Sequence, residues 1–367
     1  KTLQIAGQEA AADAGEKRVS VCCDAVISPF YRITFNANGE IETLYDREAE
    51  RQVDCGRPMN VFAAFEDKPQ RFDAWDVDVY YKEKPYAPFV LTKREVVSQG
   101  ETAVIRSSWK FNRSVLTQDM IVYADDRRID FVTTVDWKEK QVFLKAYFPV
   151  DVHAGEASYE IQFGNIRRPT HTNTEWDFAR FEVPGHRWAD LSQGDYGVAI
   201  LNDCKYGYDV HENVLGLSLL KSAVRPDETA DRKVHHFTYS LYPHRGTAET
   251  ADVTKAAINL NMPVLTQCVP ADGQGESFVR SSFVHTDCGH ILLDTVKLAE
   301  DGKSCVVRLY EYKNCSDDKA GLFFDRTVKR VTETNLCEEE EMEMAVNGNG
   351  IAFAIGCYEI KTFKVYF

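Results

Sequence analysis

"SVLTQDMIVYADDRRIDFVTTVDW", Ser114 to Trp137, decides the fold class. Two runs in which apolar and polar residues alternate flank the polar turn Asp125–Arg128. A period of two is what a half-buried strand needs, because successive side chains leave opposite faces. In the second run Ile129, Phe131, Val135 and Trp137 fall on one face, with Asp130 and Asp136 on the other. The stretch reads as an antiparallel hairpin.

The same reading extends outward. "RITFNANGEIETLYD" (Arg32–Asp46) places Asn38 and Gly39 between alternating runs, a hairpin signal in which both turn residues favour positive φ. "VFLKAYFPVDV" alternates again; "YGVAILND", "VLGLSLL" and "HHFTYSLYP" read as strands with buried centres, and "ILLDTVKLA", "CVVRLYEY" and the closing "IAFAIGCYEIKTFKVYF" as further strands. One segment breaks the pattern: Val253, Ala256, Ala257 and Leu260 recur at helical spacing before Asn261 and Pro263 supply a stop. The chain is expected to be all-β with few helices, a large antiparallel sandwich followed by a smaller one. Boundaries are expected at 1–22 (a polar segment, the cut end of something longer), 23–264 (the large domain) and 265–367 (the small domain), with "CVPADGQGES" (Cys268–Ser277) as linker.

Composition narrows the function. At 367 residues, with 44% apolar and 12% aromatic side chains, the chain has ample material for packed cores. A net charge of −14 argues against nucleic acid, whose binding draws on Lys and Arg. No apolar run approaches the roughly 20 residues of a spanning helix, and the first residues lack the apolar centre of a secretion signal. Ten cysteines without C-x-x-C pairs fit reduced, mostly packed thiols in a cytosolic protein. The N-x-S triplets at Asn112 and Asn314 are short enough to arise by chance.

Four polar constellations stand out. "FEDKPQRFDAWDVDVYY" sets Trp75 between Asp73 and Asp76, a mixture that binds sugars by stacking and hydroxyl recognition. A buried strand Trp with solvated acids is the simpler reading. "RRPTHTNTEWDFARFEVPGHRW" (Arg167–Trp188) packs two histidines, two tryptophans and four arginines into a loop bracketed by Pro169 and Pro184. Its His171, Asn173, Thr174, Trp176 and Asp177 suit hydroxyl bonding and stacking, and equally the backbone needs of a long loop. His171, Asp177 and His186 match no compact metal-ligand spacing. In "LNDCKYGYD", Asp203, Lys205 and Tyr206 would stand at a sheet rim, with Cys204 a packed thiol rather than a nucleophile. In "VHHFTYSLYPH", His236 reads as a satisfied strand-edge histidine, and the acidic cluster Glu338–Glu341 reads as a solvated turn or edge.

Taken in order, "FEDKPQRFDAWDVDVYY", "RIDFVTTVDWKEKQVFLKAYFPV", "FGNIRRPTHTNTEWDFARFEVPGHRWADLS", "YGVAILNDCKYGY", "LSLLKSAVRPDETAD", "HHFTYSLYPHRG" and the final "YEIKTFKVYF" resemble the C-terminal part of the family 38 glycoside hydrolases, the α-mannosidases of the cytosolic, vacuolar and bacterial type. The resemblance covers about Tyr31 to the end. It implies a galactose mutarotase-like supersandwich packed against an N-terminal catalytic barrel, the chain's own partner, and a mannoside substrate.

In that family the aspartate nucleophile, the acid/base carboxylate and the zinc (or another divalent metal) lie upstream. No residue here matches them, so catalytic and metal residues are expected to be absent from this fragment, which is expected to be inactive alone. The resemblance also implies a cytoplasmic location. His171, Asn173, Trp176, Asp177, Asp203, Lys205 and Tyr206 are then candidates for sugar or barrel contact. Homo-oligomerisation is left open. Two rival readings are an autonomous carbohydrate-binding module using the Trp75 region and a mutarotase-like epimerase, for which His236 and His171 would have to face one cavity.

Overall fold

The structure is a computed structural model, and it describes residues 2–3, 18–22, 24–266, 280–300, 302–339 and 341–367. The expected linker Cys268–Ser277 and most of the expected polar segment 1–22 lie outside the described residues. Two compact units emerge, one built of Ala14–Ile161 and Asn165–Pro263, the other centred on Val264–Phe367. Both are almost entirely antiparallel sheet, so the all-β class holds.

The larger unit carries, among the described residues, a nine-stranded sheet and two five-stranded sheets. The Ser114–Tyr123 and Ile129–Asp136 strands pair in register from Val115↔Asp136 to Val122↔Ile129. Ile129, Phe131, Val135 and Trp137 are all buried. Asp130 departs from the expected solvated face. It is buried because Arg128 Nε, the Ser240 hydroxyl and the Tyr123 hydroxyl supply donors at 2.6, 2.6 and 2.7 Å. One core joins this sheet to the others: Trp109, Leu116, Phe131, Val198 and Tyr239 pack with Phe62, Leu144, Phe148 and Leu217, and with Ile33 and Leu44.

The Asn38–Gly39 hairpin forms between Tyr31–Phe35 and Ile41–Asp46. Only Gly39 takes positive φ (+76°). The Asn36 carboxamide oxygen accepts from the Asn38 and Glu40 amides, closing a wider loop than a two-residue turn. The first strand of this sheet, Ser20–Cys22, begins before the expected boundary at 22 because buried Val19 and Val26 anchor it. The expected helix spans Val253–Asn261; Val253 and Ala257 are buried against Trp188, Ala199 and Leu201.

In the smaller unit, a four-stranded sheet (Val284–Thr286, Asp317–Phe324, Gly350–Ile355 and Val346–Asn347) and a five-stranded sheet share a core of Leu309, Leu322, Phe324, Phe353 and Phe363. "IAFAIGCYEIKTFKVYF" proves to be two strands, Gly350–Ile355 and Ile360–Tyr366, one in each sheet, with Tyr358 at positive φ in the break. Glu338 is buried rather than solvated, held by Lys297 at 2.6 Å.

Candidate functional site

A cleft of about 270 Å³ opens beside the sheet formed by Val183–Pro184, Gly207–His211, Val214–Leu220, Val142–Pro149 and Val61–Glu66. Two irregular segments frame it. Val79 and Lys82 come from the Asp67–Phe89 connection; His171, Asp177, Phe178 and Phe181 come from the Pro169–Pro184 connection, and Arg168 from the strand Gly164–Pro169 that leads into it.

Charge is concentrated at its floor. Lys145 points from the middle of the apolar strand Val142–Pro149 and is fully buried. Its ammonium meets Asp209 Oδ1 at 2.6 Å, also pairs with Glu182, and donates to Ser218 Oγ at 3.0 Å. Asp209 is further paired with Lys82 from the other segment. The Tyr81 hydroxyl donates to Glu182 at 2.6 Å. Burial opposes the charge on Lys145, but Asp209 and Glu182 overcome it and hold its pKa above the ordinary lysine value. Burial likewise opposes ionisation of Asp209, yet Lys145 and Lys82 prevail and hold its carboxyl below the usual range. Buried charges survive only when paired in this way. Gly216 makes room: an added Cβ would sit 2.1 Å from Asp209 Oδ1.

Nearer the mouth, Thr174 accepts from the Asp177 amide at 3.2 Å and caps a one-turn helix, Glu175–Phe178, inside what the sequence suggested was plain loop. The turn carries Asp177 Oδ2 to 3.6 Å from His171 Nδ1 and Oδ1 to 3.9 Å from Arg180. The Arg168 guanidinium lies 4.7 Å from the Tyr159 ring centroid, and its buried Nη1 has no hydrogen-bond partner. Desolvation lowers its pKa.

The seven sequence candidates do not form one site. His171 and Asp177 line the cleft, while Asn173 and Trp176 are exposed outside it, Trp176 at 78%. Tyr206 is half-exposed and its ring stands 5.6 Å from that of His186, so His186 is not drawn to the His171–Asp177 pair. Asp203 accepts from the Thr238 amide at 2.9 Å, a latch onto the neighbouring strand. Lys205 lies 4.6 Å from the Phe237 ring. His236 bonds Thr134 Oγ1 at 3.0 Å on the stretch of its strand that pairs with Ile129–Asp136 alone, because the ladder to Tyr196–Asn202 ends at Tyr239; it is thus a satisfied histidine at a local edge, and it does not line the cleft with His171.

Two expectations are overturned. Trp75 is not a buried strand residue: it is 75% exposed on a turn that the Trp75 and Asp76 amides close on the Phe72 carbonyl at 2.7 and 2.9 Å, while Asp73 accepts from the Val224 and Arg225 amides at 2.7 and 3.1 Å. Nor are the thiols mostly packed among the described residues, where Cys204, Cys315, Cys337 and Cys357 are exposed and Cys55, Cys288 and Cys305 are half-buried. Burial, then Asp203, pushes the Cys204 thiol up to about 11, which disfavours a nucleophilic role. Lys145, Glu182, Asp209, Lys82 and Arg168 were missed. The one legible signal was a lysine inside "VFLKAYF".

Chemically the cleft offers cationic donors, carboxylate acceptors and the aromatic faces of Tyr159, Phe178 and Phe181. That mixture suits a hydroxyl-rich ligand. Of the carboxylates that line it, Asp209 is engaged by Lys145 and Lys82, and Asp177 by Thr174 and His171.

A model of the glycosyl hydrolases family 38 C-terminal domain matches residues 27–229, and one of the family 38 C-terminal beta sandwich domain matches residues 290–363. The chain belongs to glycosyl hydrolase family 38, as its C-terminal region. It is 39% identical over 349 residues to Alpha-mannosidase G of Dictyostelium discoideum, covering 91% of this chain and 32% of that protein. Against Alpha-mannosidase 2C1 of Homo sapiens the figures are 40% over 291 residues, 76% and 27%. The chain thus spans about a third or less of the length of the curated relatives it matches. Its fold matches the crystal structure of an alpha-mannosidase from Enterococcus faecalis V583, with TM-score 0.72 at 14% identity over 93% of this chain and 42% of that one.

Proposed function

We propose that this chain is the C-terminal β portion of an α-mannosidase that hydrolyses α-linked mannosides, and that it supports a catalytic barrel supplied by the rest of that protein. The observation that carries the reading is the ordered pair of family 38 C-terminal matches, at 27–229 and 290–363. The relatives named α-mannosidases add to it. Zinc or another divalent metal would be held by that barrel and would supply the grip on mannose hydroxyls; His171, Asp177 and His186 do not converge to do so here. Cytoplasmic residence belongs to the same proposal.

Within it, the Pro169–Pro184 connection is the surface offered to barrel or sugar. His171 and Asp177 hydrogen-bond hydroxyls, and exposed Trp176 and Asn173 make the outer contact. Asp203, Lys205 and Tyr206 serve chiefly to set the rim.

The test compares this chain with the gene's full-length product on an aryl α-mannoside, alongside calorimetry of this chain with mannobiose. Turnover by the longer protein alone, with no heat from the short chain, is expected. Equal turnover by both, or mannobiose binding that Trp75→Ala abolishes, overturns the supporting role.

A further inference from the structure

In the smaller unit a thiol, an imidazole and a carboxylate converge on one point. Cys288, Gly289 and His290 make the turn between strands Val284–Thr286 and Ile291–Leu298, and Asp317 begins the strand Asp317–Phe324 that pairs with Val284–Thr286. Ligand atoms from Cys288, His290 and Asp317 all lie within 4.8 Å of one another. Cys288 Sγ is 3.4 Å, and His290 Nε2 3.6 Å, from Asp317 Oδ2. All three residues are half-buried. His290 Nε2 is itself buried and has no hydrogen-bond partner, an uncommon state for an imidazole nitrogen facing a carboxylate.

The surroundings hold these groups in place. Asp317 Oδ1 accepts from the Lys319 amide at 2.8 Å, which leaves Oδ2 turned to the cluster. The His290 carbonyl accepts from the Tyr312 amide at 3.1 Å, and the Cys288 amide donates to Thr286 Oγ1 at 3.2 Å. The ladder to Gly350–Ile355 shifts register between Asp317 and Ala320, an irregularity at the residue that joins the cluster. Adjacent Asp287 accepts from the Gly321 amide at 2.8 Å, and a Cβ on Gly321 would come within 2.8 Å of Asp287 Oδ2.

We propose that Cys288, His290 and Asp317 form a binding site for a zinc-type divalent metal ion. The spacing fits the ion. Tetrahedral bonds of about 2.3 Å to sulfur and about 2.0 Å to nitrogen and oxygen put sulfur about 3.5 Å from oxygen, and nitrogen about 3.3 Å from oxygen. The mixed sulfur, nitrogen and oxygen set selects zinc or cobalt over magnesium or calcium. As the ion enters, the Cys288 S–H bond breaks, its proton leaves to solvent and a sulfur–metal bond forms. Thiolate and Asp317 then balance the two positive charges, and the fourth position takes water.

The test is titration of the 367-residue chain with Co²⁺ under reducing conditions, followed by Zn²⁺. One equivalent of Co²⁺ is expected to give d–d bands and a near-ultraviolet thiolate charge-transfer band, both removed by Zn²⁺, and Zn²⁺ is expected to raise Tm. Cys288→Ser removes the charge-transfer band. Asp317→Asn, nearly isosteric, weakens Co²⁺ binding by more than about tenfold. Cys337→Ser, at an exposed thiol elsewhere, changes neither. Metal-free circular dichroism of each variant matching the parent establishes that the fold is kept, and a variant that fails this is replaced by His290→Gln read the same way. No cobalt band, or a band and a Tm rise that persist in Cys288→Ser, overturns the proposal.

Discussion

Lys145 and Asp209, both almost wholly removed from solvent, face each other at 2.6 Å across two strands that do not pair directly. Their contact, with Glu182 and Lys82 on either side, ties the two irregular segments of the cleft to the sheet beneath. The cleft's shape therefore depends on a buried ionic knot rather than on ladder hydrogen bonds.

Lys145→Met should be severely destabilising, by about 3–5 kcal/mol, because it leaves Glu182 without a cation and Asp209 with Lys82 alone. Adding Asp209→Asn should recover part of the loss. Urea unfolding of both variants measures it, and additive costs would show that the pair does not interact.

Acid should loosen the same knot. The Asp209 carboxyl lies below its ordinary range when folded, so its contribution is present above the unfolded value of about 3.9 and is lost as pH falls through the depressed folded value. Urea midpoints followed below about pH 4 should fall more steeply for the parent than for Asp209→Asn.

Gly197→Ala should cost about 1–3 kcal/mol. Its Cβ would lie 2.2 Å from Ser192 Oγ and 2.5 Å from His244 Cε1, and His244 is held against buried Asp190 at 2.7 Å. A lowered Tm checks this, and an unchanged one would mean that the Ser192 and His244 side chains move aside freely.

Trp176→Ala should leave the stability of this chain within about 0.5 kcal/mol, since the ring is exposed and unpacked. In the full-length protein the same change should lower turnover of an aryl α-mannoside. Asp203→Ala should do the reverse, costing about 1–2 kcal/mol through the lost Thr238 amide bond and sparing turnover per folded molecule.

The hairpins and the Val253–Asn261 helix were legible because their signal is local: a period of two or of 3.6 written in consecutive letters. The cleft was only partly so. Thr174 and Asp177 stand at the capping spacing, a local cue that would have revealed the one-turn helix and brought Asp177 back toward His171. Trp75 and Asp130 misled because burial is set by partners far along the chain, Val224 for the loop that carries Trp75 and Ser240 for the strand that carries Asp130. Lys145 was hidden for the same reason: its carboxylates come from residues 182 and 209, and the alternation of its own strand says nothing of them.

Strand Val234–Arg245 lies between Tyr196–Asn202 and Ile129–Asp136 in the nine-stranded sheet, although more than 30 residues separate it from the nearer of them in sequence. That strand alone joins the two halves of the sheet, so the edges of Tyr196–Asn202 and Ile129–Asp136 that it covers find their partner only when it docks. Contacts that span so much chain form slowly, which makes its docking an expected late step in the folding of this unit.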